Sequence, residues 1–174
     1  MTERKYRMYG LVPYNISPIQ QGIQYGHAVV EYANEFSGDS DYSAWAKNDK
    51  TFIILNGGTT NINTPGTLNV HEMNLYHRGI KHACFYEPDL GDQLTAVVFL
   101  ADERVWDKES WPDYVVPIED MPLFLRRKKA GELPENIIRD LTSWKEWKES
   151  FSDEEEISDK IVFLRGLLSK LRLA

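Results

Sequence analysis

A chain of 174 residues with 42% hydrophobic content holds enough apolar material for one domain with an addition, or two small domains at most. Its formal net charge of -7 argues against broad electrostatic binding to nucleic acid, which relies on clustered Lys and Arg; the run Arg126-Arg127-Lys128-Lys129 is the best candidate for a local basic patch, though such a run is more often a solvated helix end. No segment approaches the roughly 20 apolar residues that span a bilayer, and Met1-Thr2-Glu3-Arg4-Lys5 leads into a strand without an apolar h-region, so the expectation is a cytoplasmic protein with no membrane contact.

Tyr6-Arg7-Met8-Tyr9-Gly10-Leu11-Val12 mixes aromatic and branched residues and stops at Pro13, which predicts a first strand. A helix follows: Ser17 suits the N-cap, Pro18 the first helical position, and Gln20 the capping-box position. Ile19, Ile23, His27 and Val30 line one face of it, and Tyr25, Val29, Tyr32 and Phe36 another, so the helix is expected to be covered on two sides. Ser37-Gly38-Asp39-Ser40-Asp41 breaks it, and a short amphipathic turn surrounds Trp45. The apolar run Thr51-Phe52-Ile53-Ile54-Leu55 predicts a buried strand ending at Asn56-Gly57-Gly58. After a polar loop to Pro65-Gly66, Thr67 is placed to cap a second helix running to about Arg78, with Gly79 closing it.

Two strands, His82 to Tyr86 and Leu94 to Leu100, flank the turn Glu87-Pro88-Asp89-Leu90-Gly91-Asp92. The order β-α-β-α-β-β predicts an α/β fold, a three-layer mixed sheet of about four strands with helices on both faces, over residues 1–103. Residues 104–174, rich in Trp, Pro and charge, read as a mostly helical C-terminal extension. Trp144, Trp147 and Phe151 form a helical stripe, and Ser152 with Glu155 predicts a capping box for a last helix. On that helix Ile157, Ile161, Leu164, Leu168 and Leu171 suit docking onto the domain, a protein partner or a second copy of the chain.

Candidate chemistry gathers at the start of the first helix and after the third strand. Gln20, Gln24 and His27 share a face at i, i+4, i+7 spacing, where amides can read a ligand. Glu87 and Asp89 sit just past a strand end on a turn stiffened by Pro88, a place where a carboxylate can serve as a general base or fix a water. Asn56-Gly57-Gly58-Thr59-Thr60 lacks the Lys of a P-loop and reads as a turn. Cys84, the single cysteine, lies in an apolar run and reads as a structural thiol. His71, His77 and His82 lack structural zinc spacing, so neither a metal site nor a cofactor is expected.

The segment Ile19-Gln20-Gln21-Gly22-Ile23-Gln24-Tyr25-Gly26-His27-Ala28 resembles the G-K-x-A-A-Q-C-x-H-A helix of type-2 peptidyl-tRNA hydrolases. The likeness spans about residues 5–101, takes in the β-α-β-α-β-β order, matches Gln24 and His27, and extends to Gly79 before the third strand and Thr95 opening the fourth. It implies a catalytic set of Glu87, Gln24 and His27, with Gln20, Asp89 and Thr95 in binding. Gln20 stands where the family has Lys, Glu87 where it has Asp, and Pro88-Asp89-Leu90-Gly91-Asp92 replaces its R-T-Q-I-x-x-G segment. The expectation is a divergent member with weak or no hydrolase activity that binds a small polar ligand or a macromolecular partner. The alternative is an active enzyme cleaving the ester between peptide and tRNA.

Overall fold

A computed structural model describes residues 4–61, 64–115, 144–151 and 157–174. Four strands, β1 (Tyr6–Pro13), β2 (Thr51–Gly58), β3 (His82–Glu87) and β4 (Gln93–Asp102), form one mixed sheet in the order β2-β1-β4-β3. β1 runs parallel to β2 and antiparallel to β4, and β3 pairs antiparallel with β4. The fold class is therefore the α/β architecture that the element order predicts.

Helix α1 (Pro18–Phe36) starts as its sequence dictates. Ser17 is in extended conformation, its hydroxyl accepts from the Gln20 N–H, and the Gln20 side chain accepts in return from the Ser17 N–H at 3.0 Å. Tyr25, Ala28 and Tyr32 are buried against one face of the sheet together with Met8, Val12, Ala83, Ala96 and Val98. Gly10 is required there: a Cβ at that position would lie 2.0 Å from the Tyr25 ring, whose hydroxyl donates to the Met8 carbonyl. The second covered face of α1 is a correction. Ile19, Ile23 and Val30 are more than half exposed, because the sheet lies on one side of the helix and no described element covers the other.

Helix α2 (Ser40–Ala44) begins at Asp39, whose carboxylate accepts from the N–H groups of Asp41 and Tyr42, and it widens into a π-type turn over Trp45–Asp49. Trp45 is buried beside Phe52 and donates to the Thr51 carbonyl. The run Thr51–Leu55 does not form a strand buried on both sides: β2 is an edge of the sheet and Phe52 is half exposed. Chain near the C-terminus covers part of that edge, the Asn56 N–H donating to the Arg172 carbonyl and the Ala174 N–H to that of Ile54.

The opposite face of the sheet carries α3 (Thr67–His77) and, after the short helix α4 (144–149), α5 (Asp159–Leu168). Gly66, not Thr67, is the N-cap of α3; the Asn69 side chain accepts from its N–H, while the Thr67 hydroxyl accepts from the Thr59 N–H. Gly79 (φ +60°) lets the chain leave α3. Leu68 and Leu75 from α3 join Leu11, Val97 and Phe99 from the sheet and Ile157, Ile161 and Leu164 from the extension in one core. The apolar residues of α5 are thus largely buried within the chain. The last helix starts later than the Ser152 box predicts: Ile157 and Ser158 are non-helical and Ser158 is the N-cap. Ser152, Glu155 and the basic run 126–129 lie outside the described residues.

Arg165 fastens the extension. It is buried, and its guanidinium donates to the carbonyls of Arg104, Trp111 and Pro112 and to the Asp113 carboxylate. Arg7 adds a cation-π contact over Trp106 at 4.2 Å. No described helix is long and apolar enough to cross a membrane.

Candidate functional site

The β3–β4 ladder is irregular at one point. Phe85 pairs with Ala96 but Tyr86 pairs with Leu94, so Thr95 is an extra residue in β4. The bulge re-aims it. Strict alternation would send Thr95 to the α3 face, beside Val97; instead its hydroxyl donates to the Gln24 side-chain carbonyl on α1 at 2.8 Å and lies 3.3 Å from the Phe85 carbonyl.

Gln24 and Thr95 are both buried. With its oxygen held by Thr95, the Gln24 amide directs its NH2 group outward, where it donates to Glu87 Oε2 at 2.5 Å. Glu87 closes β3 and caps the following turn, its other oxygen lying 3.4 Å from the Asp89 N–H. Gly91 (φ +70°) and Asp92 (φ +57°) complete the turn, and the Asp92 N–H returns to the Glu87 carbonyl. A buried polar chain, Thr95 to Gln24 to Glu87, thus ends in a half-buried carboxylate whose lone pairs are not all taken up among the described residues.

The remaining predicted residues stand around this chain differently. His27 is exposed and stacks on Phe85, with ring centroids 4.5 Å apart and an interplanar angle of 16°; among the described residues it makes no hydrogen bond to Gln24 or Glu87. Gln20 is exposed and its side chain serves the α1 cap. Asp89 is exposed and meets Glu87 through its backbone. Gln24, Glu87 and Thr95 are therefore brought together, His27 flanks them, and Gln20 and Asp89 act locally.

Electrostatically the mouth is one-sided. Glu87, Asp89 and Asp92 lie within six residues, and Glu87 forms no ion pair among the described residues. Among the described residues, two surface hollows lie near and far: the smaller also reaches Asp92 of the mouth, and the larger lies on the extension. One of about 450 Å³ is bounded by Lys108, Trp144 and Arg165, the other of about 240 Å³ by Asn61, Asn69, Tyr86 and Gln93.

No protein-family model and no curated protein matches the chain. What the site can do therefore rests on its own geometry.

One feature of the site escaped sequence reasoning, while Cys84 packs inward as its apolar run predicts. Phe85, the platform for His27, has no marker beyond its place in an apolar strand. Cys84 points to the other face of β3, toward the core beneath α3. Burial above all, then the carboxylates of Glu72 and Glu35, pushes its thiol up to about 12, so Cys84 alone is not a nucleophile at neutral pH.

Proposed function

We propose that this is a divergent type-2 peptidyl-tRNA hydrolase-like protein that binds a small polar ligand at Glu87 and Gln24 and has weak or no hydrolase activity. The observation that supports it is the direction of the Gln24 amide. Its oxygen is held by Thr95 and its NH2 group donates to Glu87, so the polar chain presents an acceptor to solvent and aims no donor at an incoming carbonyl.

Ester hydrolysis needs donors or positive charge where the oxyanion develops, and one such donor is typically worth about 3–4 kcal/mol. Here Gln20, in the place of the family's Lys, is neutral and engaged in the cap, and the mouth carries acidic groups that repel a phosphate backbone. A ligand with amine, amide or hydroxyl donors suits Glu87, and a planar group can extend the stack of His27 on Phe85.

A second reading has one observation in its favour. Among the described residues Glu87 Oε1 meets only the Asp89 N–H, so it can take the proton of a water, the geometry of a general base in an active peptidyl-tRNA hydrolase.

The deciding experiment is peptide release from a defined peptidyl-tRNA by the full chain at high concentration, paired with Glu87→Ala. Absence of turnover, with a small molecule seen by native mass spectrometry on the wild-type chain and lost in Glu87→Ala, is the expected result. Turnover that disappears in Glu87→Ala establishes the second reading and removes the first.

A further inference from the structure

We propose that Glu72, His82 and Cys84 form a binding site for a zinc-class divalent cation that ties α3 to β3. The three belong to different elements and different donor types. His82 and Cys84 are two apart on β3 and so share the face beneath α3, while Glu72 descends from α3 itself. One ligand atom from each lies within 4.8 Å of the other two, and His82 Nε2 is 3.6 Å from Glu72 Oε1.

The orientation of His82 supplies an independent observation. Its Nδ1 is 2.8 Å from the Ile80 carbonyl, which can only accept, so Nδ1 carries the proton. That leaves Nε2 turned toward the carboxylate and the sulfur. Histidines that bind metals are held in this manner, with the second ring nitrogen donating to a carbonyl or carboxylate that fixes tautomer and ring angle.

The chemistry selects the ion. Bonds of about 2.0–2.3 Å in a tetrahedral zinc site separate the ligand atoms by roughly 3.3–3.8 Å. The 3.6 Å pair already meets this, and modest rotation of the Cys84 and Glu72 side chains closes the rest. A sulfur, an imidazole and a carboxylate favour zinc over magnesium or calcium, which prefer oxygen alone. The thiol proton passes to solvent on binding, and carboxylate, thiolate and dication sum to zero charge. Three protein ligands leave a fourth position for water, and partial exposure of the Glu72 and His82 side chains gives the ion a route in. The site lies across the sheet from Gln24, so it stands apart from the proposed ligand site.

An ordinary His82–Glu72 ion pair accounts for two of the three groups, and the sulfur separates the readings. The test is titration of the chelator-treated full chain with Co²⁺, followed in the near-ultraviolet for thiolate-to-cobalt charge transfer, then displacement by Zn²⁺. The expected result is a band that saturates at about one ion per chain, is bleached by zinc, and is absent in Cys84→Ser. In His82→Gln and Glu72→Gln, checked for folding by circular dichroism, zinc affinity by chelator competition falls about ten-fold or more. A wild-type chain without the band, or a band that survives in Cys84→Ser, overturns the site.

Discussion

The hydroxyl of Thr95 donates to the side-chain carbonyl of Gln24 across 2.8 Å, joining β4 to α1 in the buried layer between them. Everything outward depends on it, because it decides which way the amide faces and hence that Glu87 receives an N–H. Thr95→Val keeps the branched shape and leaves the Gln24 oxygen buried and unpaired. A loss of about 1–3 kcal/mol in urea unfolding is expected, with the m-value unchanged. A Thr95→Val chain as stable as wild type means that the hydroxyl does not hold Gln24.

Gln20 is assigned to the cap of α1, not to a ligand. Gln20→Ala is expected to cost under about 1 kcal/mol and Ser17→Ala about 1 kcal/mol, both without loss of ligand binding. If Gln20→Ala retains full stability but abolishes binding, the amide contacts the ligand directly.

Arg165 organises a turn of the extension whose apolar residues, Val105, Trp106 and Trp111, pack onto the core. Its guanidinium reaches three carbonyls and one carboxylate. Arg165→Ala strands those carbonyls, and a destabilisation of about 1–3 kcal/mol is expected, Asp113 being half exposed and still paired with Lys108. Arg165→Lys recovers little of it, since one ammonium cannot span the same fork. Limited proteolysis reads the effect locally: the variant should be cut first between Asp107 and Tyr114, and protection equal to wild type there counts against the clamp.

The same clamp sets an acid limit. The hydrogen bond and charge of Lys108, and after them the charge of Arg165, hold the Asp113 carboxyl below its ordinary 3.8. A depressed carboxylate contributes stability that is complete above the unfolded value and is lost as pH falls through the folded one. The melting temperature should therefore fall more steeply below about pH 4 in wild type than in Asp113→Asn, which has no proton to take up. Parallel curves for the two show that the pair is screened by solvent.

Local signals carried much of the fold. Ser17, Pro18 and Gln20 determine the start of α1, and Gly79 the end of α3, because caps and left-handed turns depend on residues a few positions apart. Runs of branched and aromatic residues placed all four strands to within three residues at either end. What failed was the assignment of surroundings. Ile19, Ile23 and Val30 resemble a buried face, and Thr51–Leu55 a strand covered on both sides, yet each faces solvent at least in part. Apolar content tells which residues can be buried, while the neighbours that bury them come from distant parts of the chain.

The site divides the same way. Sequence by itself placed Gln24 and His27 on one helix, Glu87 just past the end of one strand and Thr95 near the start of another; β3 in fact takes in Glu87, and β4 starts at Gln93. Only the tertiary structure decided that an extra residue in β4 turns Thr95 toward Gln24, that His27 leaves the polar chain to stack on Phe85, and that Glu72 comes down over His82 and Cys84. A bulge shifts every side chain beyond it to the other face, and a contact between helix and strand depends on the packing of whole layers; neither is a property of neighbouring residues.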